Sequence, residues 1–221
     1  MIRLLSILID CFSALIFIVP AVIVLQYVFF KQHSLSKAIM VLIFAFYAMA
    51  VFTVVGIPTV NRLMINLRFN LIPLIDIADN PSGYIINTIL NIILFMPLGF
   101  LLPVIWEEYR PMKKTVFMGL ALSIIIEVLQ IFTFRLTDID DLITNTLGTI
   151  LGYYISKMLS FKMPLIGRVD NKDSYTKSIY ADYEPVIILT TVFLIGFFLK
   201  TFVSDTIWNI VLSSSLWEHI K

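Results

Sequence analysis

The chain has 221 residues, of which 59% are hydrophobic and 14% charged, with a mean hydropathy of +0.95 and a formal charge of +1. Soluble domains carry about 25% charged residues and lack repeated apolar runs of membrane-spanning length, so the composition excludes an ordinary soluble globule. The near-zero charge excludes a nucleic-acid partner, which needs a concentrated basic face, and the single cysteine, Cys11, excludes an internal disulfide and reads as an apolar packing residue.

A membrane span needs about 20 apolar residues, each rising about 1.5 Å. Six segments meet or approach this length: 12–30, 38–57, 84–106, 115–134, 142–159 and 185–199. The pattern predicts an all-α polytopic transmembrane bundle of about six spans. The first apolar run is too long for a signal-peptide core and has no small-residue cleavage pattern, so it reads as a retained span. Residues 205–220 carry Trp208 and Trp217 but are interrupted by Asn209 and a run of serines, and they read as an interfacial helix rather than a seventh span. Residues 1–160 form the expected transmembrane domain, 161–184 a polar cytoplasmic loop broken at Pro164 and Gly167, and 185–221 an added span with its interfacial segment.

Lysine and arginine set an orientation. Ten of the 16 fall in the first, third and fifth connections, between Lys31 and Lys177, and six on the opposite side: Arg3, Arg62, Arg68, Arg135, Lys200 and Lys221. This bias predicts a multi-pass protein of the cytoplasmic membrane with both termini outside.

Polar residues then converge at one depth. Asn87 and Asn91 share a face of the third span, Glu127 lies about 10 Å below the outer end of the fourth with Gln130 one turn above it on the same face, and Asp141 starts a stripe on the fifth that continues through Asn145, Gly148 and Gly152. With Arg135 between these spans, the spacing predicts an outward pocket formed by Asn87, Asn91, Glu127, Gln130, Arg135, Asp141 and Asn145. Asp10 is expected at a similar level. Ionisable groups inside apolar helices are costly and need a reason; Arg135 is the natural partner for Glu127.

Other residues have simpler readings. Asp138 and Asp141 suit the cap and first turn of the fifth helix, where carboxylates favour the positive end of the helix dipole. Asp140 points away from Asp141 and is expected to be solvated. Gly148 and Gly152 form a small-residue packing face, and Pro97 with Gly99 is expected to kink the third span. No nucleophile elbow, metalloprotease helix or phosphate-binding glycine loop is present, and His33 and His219 are too far apart in the chain to suggest a zinc site. A hard cation on Glu127, Asp138 and Asp141 is an alternative the pattern does not favour, and no cofactor is expected.

The stretch from Asn91 to Phe100, with Pro97 and Gly99, followed by Glu127, Gln130, Arg135, Asp138, Asp141, Asn145, Gly148 and Gly152, resembles the VanZ-like family of bacterial membrane proteins. Asn70, Leu71, Ile72 and Pro73 are similar to the family's loop before that helix, and the resemblance covers about residues 66–156. It implies a cell-envelope setting and an association with resistance to teicoplanin-type glycopeptides.

Two functional expectations follow. In the first, the pocket binds an envelope lipid, a cell-wall precursor or a lipidated glycopeptide, with Arg135 reading an anionic group and Asn91, Gln130 and Asn145 making directional hydrogen bonds. In the second, the protein is an intramembrane hydrolase or group transferase acting on lipid-linked material, with Glu127 as general acid or base, Asp138 or Asp141 as second carboxylate and Arg135 as charge stabiliser.

Overall fold

The computed structural model describes residues 2–61, 63–67, 69–70, 72–74, 77, 80–133, 137–162 and 181–213. Arg135, the 163–180 part of the expected cytoplasmic loop and residues 214–221 with Trp217 lie outside the described residues. The chain divides into two compact units, one made of Met1–Leu63 and Lys177–Lys221, the other of Met64–Thr176.

The first unit holds α1 (Ile2–Val24), α2 (Leu35–Val55), α6 (Glu184–Leu194) and α7 (Lys200–Ser213). α1 ends in a π-helical turn, Leu25–Phe29, and a second such turn, Ile195–Leu199, joins α6 to α7 without a break. Its core follows helical periodicity. Ala14, Ile18 and Val22 recur every four residues along α1 and are fully buried, as are Val41, Phe44, Ala45 and Met49 of α2 and Ile188 and Val192 of α6. Ser34 caps α2 by accepting from the Lys37 amide, and Gly56 ends it at φ 70°, a left-handed conformation in which glycine avoids the Cβ clash.

The second unit holds α3 (Pro81–Ile105), α4 (Met112–Gln130) and α5 (Ile139–Lys162), with two-residue strands β1 (Phe69–Asn70) and β2 (Thr137–Asp138) paired in parallel. α5 lies along both other helices. Its close approach to α3 depends on glycine: a methyl group on Gly148 would overlap the carbonyl oxygen of Ile92, one on Gly152 that of Met96, and one on Gly99 that of Thr149. Pro97 lies within α3, where its missing N–H leaves the Ile93 carbonyl without that intrahelical donor.

Among the described residues, four helical stretches are long and apolar enough to cross a membrane: Ile7–Phe29, Leu35–Val55, Pro81–Ile105 and Glu184–Ile210. The fourth and fifth expected spans are helices too, but Lys113, Lys114 and Glu127 in α4 and Asp140, Asp141 and Asn145 in α5 take them below that apolarity. The helix after Leu199 runs on from Lys200 through Asp205 to Ser213, so the described part of the expected interfacial segment continues the sixth span without a break. Asn209, which suggested a break, is exposed on this helix and leaves no buried amide to satisfy.

Candidate functional site

The start of α3 and the start of α5 enclose a polar cavity of about 250 Å³. On α3, Asn80, Tyr84, Asn87, Thr88 and Asn91 recur at three- and four-residue steps and so form one stripe. Asn80 also caps the helix, its side chain accepting from the Gly83 amide at 3.0 Å just before Pro81 enters the first turn. α5 contributes Asp138, Asp140, Asp141 and Thr144.

Hydrogen bonds hold these groups in place. Asn91 Nδ2 donates to Asp141 Oδ1 at 2.6 Å, bridging α3 and α5 across the cavity floor. Asp138 is the cap of α5, with Oδ1 accepting from the Asp140 amide at 2.9 Å, while Oδ2 accepts from Asn70 Nδ2 at 3.3 Å. Thr144 Oγ1 returns a bond to the Asp140 carbonyl oxygen at 2.8 Å.

Asp140 departs from its expected solvated position. It is 7% exposed, and its Oδ2 accepts from the Leu74 amide at 2.9 Å. Leu74 has φ 64°, a left-handed conformation that costs a non-glycine residue about 1–2 kcal/mol. A hydrogen bond to an ionised group contributes about 1.5–3 kcal/mol, enough to hold this turn. Helical geometry begins only at Ile139, so Asp140 occupies the second helical position, where its side chain meets the preceding loop.

The structure brings together Asn87, Asn91, Asp138 and Asp141 from the sequence-derived set, and adds Asn80, Tyr84, Thr88, Asp140 and Thr144. The spacing of the α3 stripe carried that signal, and Thr144 stands one turn beyond Asp140. Glu127, Gln130 and Asn145 are buried but do not line the cavity. Glu127 Oε2 accepts from the Asp138 amide at 3.0 Å, and its backbone carbonyl oxygen accepts from Thr137 Oγ1 at 3.3 Å, so Glu127 anchors β2 from behind the wall. Asn145 turns to α4, where Nδ2 donates to Ser123 Oγ at 2.9 Å. The Gln130 backbone carbonyl accepts from both the amide and the hydroxyl of Thr133, closing the end of α4.

Asp10 belongs to the first unit. Its Oδ2 receives Lys200 Nζ at 3.1 Å and its Oδ1 receives Ser204 Oγ at 2.7 Å, which gives it partners unrelated to the cavity. The cavity lining is thus carboxylate, amide and hydroxyl, an arrangement rich in hydrogen-bond acceptors. Among the described residues, no group of three or more His, Cys, Asp and Glu side chains is disposed to hold a metal ion.

A 63-residue stretch of the chain is 46% identical to Protein VanZ of Enterococcus faecium, covering 28% of this chain and 38% of that protein. The matched stretch therefore spans well under two thirds of that relative's length. No solved structure matches the chain. The sequence profile of the VanZ/LLP1 family matches residues 17–160, a stretch that contains the whole lining of the cavity. With apolar helices of membrane-spanning length and that match across more than half its residues, this membrane protein belongs to the VanZ/LLP1 family.

Proposed function

We propose that the chain is a cell-envelope protein whose polar cavity binds an envelope lipid, a cell-wall precursor or a lipidated glycopeptide, and that it lowers sensitivity to teicoplanin-type glycopeptides. The observation carrying this reading is the Asn91–Asp141 hydrogen bond that joins α3 to α5 around one cavity, with the loop before α3 held to α5 by the Leu74–Asp140 bond. Binding is favoured over the enzyme reading because Glu127, its general acid or base, holds the Asp138 backbone and does not line the cavity, while the second-carboxylate candidates that do line it, Asp138 and Asp141, are bonded to the Asp140 amide and to Asn91. In a glycopeptide-susceptible bacterial host, Asp141→Asn and Asp140→Asn should each reduce protection to that of cells lacking the protein, at unchanged abundance in membrane fractions. Full protection by both variants in growth-inhibition assays would remove the cavity from the function.

The cavity faces outward in this reading, with both termini outside. Lys200, one of the six basic residues assigned to the outer side by sequence, sits within a helix bonded to Asp10, and its withdrawal strengthens the basic asymmetry that supports the orientation. A cysteine replacing Ser82, exposed in the first turn of α3, should be labelled by an impermeant thiol reagent in intact cells, and one replacing Lys113 should be labelled only after lysis. The reverse pattern turns the cavity toward the cytoplasm.

A further inference from the structure

Beside the polar stripe that lines the cavity, α3 carries an exposed apolar one. Along α3, Ile86, Leu90 and Ile93 recur at i, i+4 and i+7, and they are 56%, 56% and 55% exposed. At about 100° per residue, Leu90 lies about 60° round the helix from Asn87, so the amide borders the stripe directly. Asn87 is exposed, and its side chain makes no hydrogen bond with the described residues. An amide beside a hydrocarbon-facing stripe needs a polar partner, since lipid tails cannot supply one. Leu74, whose amide is held by Asp140, adds an exposed apolar side chain on the loop side of the cavity. The site therefore combines a polar chamber, reaching about 15 Å along a membrane-length helix at Asn91, with an apolar flank and rim.

Resting on the reading of this cavity as a ligand site, we propose that its ligand is a glycosylated amphiphile entering sideways from the bilayer: the sugar head occupies the chamber and an acyl chain lies along Ile86, Leu90 and Ile93. The head follows from the lining. Acceptors on Asn87, Asn91 and Asp140 are spread over two helices, which matches the several O–H donors of a sugar better than one ammonium group. Aspartates on one wall also disfavour a phosphate head through like-charge repulsion. The chain position follows from the exposure of Ile86, Leu90 and Ile93 on one apolar stripe, with Asn87 and Asn91 to its cavity side.

The test uses the full chain in nanodiscs with glucosyl diacylglycerol bearing a photoreactive acyl chain, and phosphatidylglycerol bearing the same chain as comparison. Labelling by the glucosyl lipid should concentrate on 86–93 and exceed that by phosphatidylglycerol, and Asp140→Asn should reduce it roughly tenfold, the loss expected for one charge-assisted hydrogen bond. Leu90→Trp, a change on an exposed position, should also reduce it while leaving intact the thermal shift produced by soluble methyl glucoside. A methyl glucoside shift without preferential labelling of 86–93 would overturn sideways entry by an amphiphile while sparing the cavity as a ligand site. If neither the glucoside shift nor the preferential labelling appears, the glycosylated-amphiphile proposal falls, while the cavity as a ligand site is overturned by full protection in both the Asp140→Asn and Asp141→Asn strains.

Discussion

Gly152→Ala is expected to lower stability by about 3 kcal/mol, the upper part of the range for overpacking a well-packed interface. The added methyl would overlap the Met96 carbonyl oxygen and also crowd the Phe100 amide nitrogen. These are backbone atoms of one helix, so neither can step aside as a side-chain end would. α3 and α5 would have to separate, weakening the Gly99 and Gly148 contacts on the same interface and stretching the Asn91–Asp141 bond. Gly196→Ala provides the contrast. There a methyl meets Met49 Cε and Sδ at 3.5 Å, ordinary contact with a flexible side chain, and replacing a helical glycine by alanine contributes up to about 1 kcal/mol. Thermal melting in detergent should therefore separate the two variants in opposite directions. Equal small losses would mean that the α3–α5 interface is looser than its glycines indicate.

The sequence exposes these features unevenly. Apolar runs locate α1, α2, α3 and the final helix because each one turns hydrocarbon-like residues outward along most of its length. The glycine spacing at 148 and 152 signals close packing, but only the structure identifies Met96 and Ile92 as what each glycine meets. Asn91 and Asp141 are legible as a pair because helix periodicity and antiparallel depth both point to their meeting. The same depth argument overreaches at Glu127 and Asn145. Depth fixes how far along a helix a residue lies, whereas the direction it faces depends on packing, and these two turn to Asp138 and Ser123. Asp140 escapes periodicity for another reason: its partner is the Leu74 amide, positioned by a left-handed loop residue 66 positions away.

Charge pairs in the first unit are illegible in the sequence because the partners are remote, 147 residues apart for Lys37 and Glu184 and 190 for Asp10 and Lys200, and no local spacing links them. The Lys37–Glu184 pair carries the larger expected effect. Glu184 Oε2 receives Lys37 Nζ at 2.8 Å, Oε1 receives Gln26 Nε2 at 2.7 Å, and the two charged side chains are only 13% and 2% exposed. Lys37→Met would leave a buried carboxylate with one neutral donor, a loss of about 3–5 kcal/mol because the desolvation cost remains when the opposing charge is removed. Adding Glu184→Gln removes that charge while keeping an amide beside Gln26, so the double variant should recover much of the loss. Asp10, at 26% side-chain exposure, keeps partial access to solvent, and removing Lys200 should cost less. A double-mutant cycle measured by melting in detergent decides the point: recovery in Lys37→Met with Glu184→Gln is the expected result, and strictly additive losses would show that the two charges do not support each other.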